Sequence, residues 1–262
     1  MVQLVDTHAH LDDEAFEGRL DAVMGRAAEA GVTQVVAVGT TAESSDQVVR
    51  LAAGDSRLFA AVGIQPNYVA EAVVGDWERI CELAGSAKEV VAIGETGIDH
   101  HWDFSPRELQ QTFFDQHLQL AAERGLPVII HMRNSGQAIV DQLRRFAAGG
   151  AVAGVMHSFT GDLRLMEQCL ELGLHISFAG MVTFKKSHDL RDVARQVPAD
   201  RLLVETDAPY LSPEPFRGKR PNEPARLVHT AECLAGARNM SLEELAGLTT
   251  DNARRLFRLP RR

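Results

Sequence analysis

Short runs rich in valine, isoleucine and leucine recur along this chain, each followed by a polar loop and then by an amphipathic, helix-like segment. The strand candidates are residues 4–6, 34–38, 59–62, 90–93, 128–130, 154–156, 174–178 and 202–204. Strands that alternate with helices imply parallel βα units. Eight such units without a Pro/Gly/Ser-rich linker point to a closed α/β architecture, a TIM (β/α)8 barrel, in preference to an open doubly wound sheet. The 262 residues suit that fold, which typically takes about 250. One domain spanning 1–262 is the expected organisation. Residues 242–257 read as a C-terminal helix, with Ser241 as N-cap and Glu244 three positions on to complete a capping box.

If the chain closes into such a barrel, the C-terminal ends of its strands converge on one face, where this architecture builds its active sites. Candidate ligands fall there repeatedly. His8 and His10 follow the first run, separated by one residue, so an extended backbone presents both imidazoles on one side. Glu95 is expected to end strand four, His131 strand five, His157 strand six, and Asp207 closes strand eight. Any one of these is ordinarily a cap or a satisfied polar group. Six at corresponding places, all imidazole or carboxylate, are the donor set of a metal centre.

Composition limits the function. With 27 basic and 36 acidic residues the net charge is −9, which argues against a broad phosphate-tracking surface. An anionic substrate must be held locally. Cys81, Cys169 and Cys233 lie far apart in helix-like stretches, so they are expected to be reduced, buried thiols of a cytoplasmic protein. The opening segment has no basic, signal-like region and no apolar run approaches a membrane span, so neither export nor membrane insertion is expected.

Around the candidate ligands stand the segments Val5-Asp6-Thr7-His8-Ala9-His10-Leu11, Gly94-Glu95-Thr96-Gly97-Ile98-Asp99, His157-Ser158-Phe159-Thr160-Gly161, Val182-Thr183-Phe184-Lys185-Lys186, Glu205-Thr206-Asp207-Ala208-Pro209-Tyr210-Leu211 and Pro221-Asn222-Glu223-Pro224. In these segments, and over nearly its whole length, the chain resembles the TatD family of metal-dependent deoxyribonucleases, within the amidohydrolase-like barrels. The resemblance implies two divalent cations: one among His8, His10, Glu95 and Asp207, the other among Glu95, His131 and His157, with Glu95 as bridge. A carboxylate has two oxygens with which to span cations about 4 Å apart, whereas an imidazole serves one. Mixed nitrogen and oxygen ligation suits Mn, Co or Zn and suits Mg less well, although the family is usually described as magnesium-supported. Asp207 is the expected base toward water, and Glu95 and Asp207 together form the catalytic pair.

The chain also departs from that family. Where relatives carry Gly-x-His-Pro-His, it has Gly63-Ile64-Gln65-Pro66-Asn67, with amides in place of imidazoles. Gln65 can donate to a phosphate but cannot shuttle a proton. Arg133 matches a family arginine and is a candidate phosphate clamp, beside Lys219 and Arg220; Lys185 and Lys186 are expected to be solvated. In His100-His101-Trp102, adjacent side chains on an extended loop point apart, which favours a surface or substrate-rim role over a third metal site. The resemblance implies hydrolysis of DNA phosphodiester bonds, as a 3′-to-5′ exonuclease on single-stranded or damaged strand ends. Its alternative is hydrolysis of another ester or amide, such as an aminoacyl-tRNA ester or a cyclic amide. A non-catalytic binding barrel is disfavoured because every expected ligand is present. A monomer with no obligate protein partner is expected.

Overall fold

In the computed structural model, which describes residues 2–147 and 151–261, eight parallel strands form one sheet in sequential order β1 to β8. They are β1 (Leu4–Ala9), β2 (Val32–Val38), β3 (Leu58–Val62), β4 (Val90–Asp99), β5 (Val128–Arg133), β6 (Gly154–Met156), β7 (His175–Phe178) and β8 (Leu202–Val204). The helices between and after them are α1 (Leu20–Glu29), α2 (Ala42–Gly54), α3 (Asp76–Ser86), α4 (Arg107–Arg124), α5 (Gly136–Ala147), α6 (Leu163–Glu171), α7 (His188–Gln196), α8 (Leu227–Ala237) and α9 (Leu242–Phe257). Just past the ends of β1 and β8 the barrel closes. Asp207 N donates to His8 O at 2.9 Å and His10 N to Ala208 O at 2.7 Å, with Ala9 and Ala208 bridged in parallel.

Both faces of each strand are covered, which is why the strands read as continuous apolar runs in the sequence. Alternate residues divide between two packings. Val35 and Ala37 join the large layer under the helices, while Val36 and Val38 join Val5, Ala61, Ala92, Ile129, Val155 and Leu203 in a second cluster inside the barrel. Ala253, Phe257 and Leu259 belong to that inner cluster. Helix α9 thus plugs the barrel at the N-terminal ends of the strands, where Thr250 Oγ1 donates to Gln3 O at 2.9 Å and Asn252 Nδ2 to Leu202 O at 2.9 Å. The capping box of Ser241 and Glu244 starts it as the sequence indicates. With this end sealed, the opposite face remains for chemistry.

Three boundaries differ from expectation in a way that matters for the site, the first being β1, which runs past Asp6 to Ala9 so that His8 lies within the strand instead of following it. Strand β4 runs past Gly94 to Asp99 and β5 past Ile130 to Arg133, so Glu95 and His131 lie within strands instead of ending them. Glycines 94 and 97 look like strand terminators, but here they allow the strand to continue. Gly97 has φ 138°, and a Cβ there would come within 2.2 Å of His131 O. The register shifts between Ile93 and Thr96, then pairs Gly97 with His131 and Asp99 with Arg133. Cys81, Cys169 and Cys233 lie on α3, α6 and α8, but only Cys169 is fully buried, because the other two sit on helix flanks. Among the described residues no helix is long and apolar enough to cross a membrane.

Candidate metal centre

All six expected ligands meet at the C-terminal ends of the strands. His8 Nε2 and His10 Nε2 lie 3.2 Å apart. The other ring nitrogen of His10, Nδ1, is 2.9 Å from Val38 O. A carbonyl only accepts, so Nδ1 carries a proton in either charge state and Nε2 is the nitrogen turned to the cluster. Glu95 Oε2 is 3.6 Å from both imidazole Nε2 atoms, and Asp207 Oδ1 is 3.7 Å from His8 and 3.5 Å from His10. A tetrahedron of bonds of about 2.1 Å has edges of about 3.4 Å, and the distances among His8, His10 and Glu95, and from both imidazoles to Asp207, are close to that value.

The second oxygen of Glu95 faces the other way. Oε1 lies 2.7 Å from His131 Nδ1 and 3.0 Å from His157 Nε2. Three groups of donors, His8/His10/Glu95, His8/His157/Asp207 and Glu95/His131/His157, each converge closely enough to hold an ion. Glu95 belongs to two of them through different oxygens.

Each imidazole beyond Glu95 has a carboxylate behind it, on the nitrogen that faces away. Asp99 Oδ2 lies 3.0 Å from His131 Nε2, and Glu205 Oε1 lies 3.4 Å from His157 Nδ1 while accepting Ser158 N at 2.5 Å. Carboxylate–imidazole pairs of this kind fix ring orientation and raise ligand basicity. Asp6 serves the backbone instead: Oδ1 accepts Thr206 N at 2.9 Å and His8 N at 3.3 Å, locking β1 to the segment after β8. The ligand segment is also bent. Ser158 and Asp207 have φ of 43° and 56°, an uncommon conformation for residues with a side chain that the hydrogen bonds from Ser158 N and Asp207 N hold in place.

Electrostatics follow from burial and proximity. Burial alone pulls His117, outside the cluster, down to about 4. In the cluster burial acts the same way on His10, but Asp207 and Glu95 outweigh it and push His10 up to about 9. Burial likewise opposes the shift of His157, which Glu95 and Glu205 raise well above the ordinary histidine range. For Glu95, burial is overcome by His157, His131 and His8, which hold it well below the usual carboxylate range. Asp207 is lowered too, against burial, by His10. Glu95 and Asp207 are thus held ionised, and His10 and His157 hold protons that a cation would displace, whereas His8 is lowered by burial and by His157. Asp6, pushed by burial to about 7 despite its bonds from Thr206, is the exception among these carboxylates.

A cavity of about 1000 Å³ opens over the cluster. Gln65 and Arg133 both line it. Gln65 Oε1 accepts Asn67 N at 2.8 Å, which leaves its NH2 as the group free to donate. Asn67 Nδ2 donates to Asp99 Oδ2 at 3.1 Å and so supports His131 indirectly. Arg133 is exposed and lies 5.5 Å from the centre of the Trp102 ring; Arg220 joins the lining, whereas Lys219 packs on Phe216. Lys185 and Lys186 are exposed. Within His100-His101-Trp102, Trp102 lines the cavity rim and neither histidine does. The sequence reading overlooked Asp99 and Glu205. Period-two alternation carried the signal, since Asp99 stands four residues from Glu95 and Glu205 two from Asp207.

The family model for TatD-related DNase matches residues 5–258. The chain is 41% identical over 98% of its length, and 99% of the relative's, to a Bacillus subtilis protein described as the uncharacterized metal-dependent hydrolase YabD. It is 36% identical, over 97% of its length and 98% of the relative's, to the 3′-5′ ssDNA/RNA exonuclease TatD of Enterobacter lignolyticus. Among solved structures, the TatD homologue YJJV of Escherichia coli superposes with a TM-score of 0.92 at 32% identity, covering 98% of each chain. With its sequence matched along nearly its whole length and its barrel reproduced in a solved relative, the chain belongs to the TatD-related DNase family of metal-dependent hydrolases.

Proposed function

We propose that this protein hydrolyses phosphodiester bonds at the ends of single-stranded DNA, from the 3′ end, with two divalent cations held by His8, His10, Glu95 and Asp207 and by Glu95, His131 and His157. The observation that carries this reading is the division of Glu95: Oε2 faces His8 and His10, and Oε1 faces His131 and His157. The relative named as a 3′-5′ ssDNA/RNA exonuclease supports the polymer and the direction.

When bound, such cations acidify water and offset charge that grows on phosphoryl oxygens. The chain's own residues supply the rest. Asp207, held ionised beside His10, takes the proton of the attacking water. The NH2 of Gln65 and the guanidinium of Arg133 bind and orient the phosphate from the cavity wall. Asp99 holds the His131 ring in its ligand orientation, and Glu205 places a carboxylate 3.4 Å from Nδ1 of His157.

Digestion of end-labelled single-stranded DNA, RNA and duplex by metal-reconstituted protein, with chelator controls, tests the proposal. Stepwise shortening of single-stranded DNA from the 3′ end, abolished by chelator, is expected. Intact polymers alongside hydrolysis of an aminoacyl ester or cyclic amide would overturn it.

A further inference from the structure

Every exposed Phe, Tyr or Trp among the described residues lines the mouth of this one cavity: Tyr68 (40% exposed), Trp102 (43%), Phe104 (60%) and Tyr210 (42%). The chain has only two tyrosines and two tryptophans. Both tyrosines and one tryptophan are therefore spent on this rim, while Trp77 packs inside against Phe113 and His117. An exposed ring costs apolar surface in water, and a patch of them rimming a polar site marks a surface built to be covered.

The rings are also positioned. Trp102 and Phe104 are stacked, centroids 5.4 Å apart and planes within 12°, and the Arg133 guanidinium lies over Trp102, giving a run of planar groups from the cluster outward. Asp99 ties this run to the metal centre. Its Oδ1 accepts the backbone N–H groups of His101 at 2.8 Å and Trp102 at 3.1 Å, while its Oδ2 holds His131. Ser105 joins the two aromatic loops: its hydroxyl donates to Asn67 O at 3.1 Å and accepts Ala70 N at 3.1 Å, on either side of Tyr68.

We propose that Trp102 and Phe104, with Tyr68 and Tyr210 on the neighbouring loops, form a stacking platform for the nucleobases of a single strand, next to the phosphodiester that Arg133 and Arg220 receive. This rests on the nucleic-acid reading above and adds how the substrate is chosen. Aromatic rings accept the π-face of any base, so the platform is indifferent to sequence. Bases in a duplex already spend both faces on their neighbours, so it selects single strands. Few cations are needed, because stacking supplies affinity that an acidic protein cannot draw from a broad basic surface.

The test compares a short thymidine oligomer with an abasic oligomer of the same length, which has the same phosphates and no bases. Binding is read by fluorescence anisotropy in chelator, so that no cleavage intervenes. The wild-type protein is expected to bind the thymidine oligomer about tenfold to a hundredfold more tightly than the abasic one. Phe104→Ala and Trp102→Ala, both at exposed positions, each bring that ratio toward one, whereas Leu163→Ala, at an exposed position outside the cavity, keeps it. Equal wild-type affinity for the two oligomers, or an undiminished ratio in both alanine variants, overturns the platform and leaves phosphodiester hydrolysis standing. Failure of the metal-loaded protein to cleave any oligonucleotide overturns the nuclease reading and the platform with it.

Discussion

The cluster predicts how metal affinity depends on pH. To ligate a cation through Nε2, His10 must be neutral, yet Asp207 and Glu95 hold it protonated up to about pH 9. Each pH unit below that value charges about 1.4 kcal/mol against binding. Between about pH 6 and about pH 8, His10 alone therefore tightens the apparent affinity by about a hundredfold. His157, raised well above its ordinary value by Glu95 and Glu205 against the pull of burial, adds a second proton to be displaced. His8 is shifted the other way, lowered by burial and by His157, so its proton opposes a cation least. Chelator-competition titrations at three pH values read the slope, and calorimetry in buffers of different ionisation enthalpy counts the protons released. Stability of the metal-free protein carries the matching signature. His10 has a folded pKa above its unfolded one, so its contribution is present below about pH 6.5, where both forms are protonated, and is lost as pH rises through about 9. Metal should accordingly raise the melting temperature most at alkaline pH. A Kd that is flat from about pH 6 to about pH 8, with no buffer-dependent heat, would refute this account of the cluster.

Four substitutions test the remaining assignments. Glu95→Gln should reduce bound metal to one equivalent or less and abolish turnover while the protein stays folded, because one amide oxygen cannot do what Oε1 and Oε2 do toward two sets of imidazoles; elemental analysis with circular dichroism checks it. Asp207→Asn should lower single-turnover cleavage by about a hundredfold to ten-thousandfold, with little change in substrate affinity or melting temperature. Gln65→His should add a titration near neutral pH to the rate profile without altering metal stoichiometry, since Gln65 lines the cavity outside the donor groups. Phe257→Ala should cost about 3–5 kcal/mol in urea unfolding and spare the active site, because Phe257 fills the sealed end of the barrel.

Much of this was legible in the sequence for a physical reason. Parallel strands covered on both faces must be apolar throughout, so Val35 to Val38 announce β2 without ambiguity. The barrel then delivers every strand end to one face, and His8, His157 and Asp207 need only their position in a βα unit to be placed there. Glycine misled the reading at β4. At Gly94 and Gly97 it marks a strand that passes tightly against β5, not one that stops. Period-two alternation put Asp99 and Glu205 on the same face as Glu95 and Asp207, but which imidazole each one backs depends on a register between strands that no local pattern records. The aromatic rim lies in loops, where no periodicity reports which side chains share a wall.

The amides at Gln65 and Asn67 take their meaning from this arrangement. Asn67 donates to the same Asp99 oxygen that holds His131. Asp99 is held well below the usual carboxylate range, against burial, by His131, by the His101 and Trp102 backbone and by Asn67. An amide there cannot compete for a proton at any working pH, so the carboxylate remains a full negative charge behind the ligand. Gln65, its oxygen engaged with Asn67 N, offers the cavity a donor that is equally indifferent to pH. At these positions the cavity wall presents an amide and two guanidinium groups, those of Gln65, Arg133 and Arg220, alongside the carboxylates of Asp12, Asp13 and Glu71. The imidazoles of the cluster, by contrast, do titrate, and there the loss of protons and the gain of a cation would be the same event.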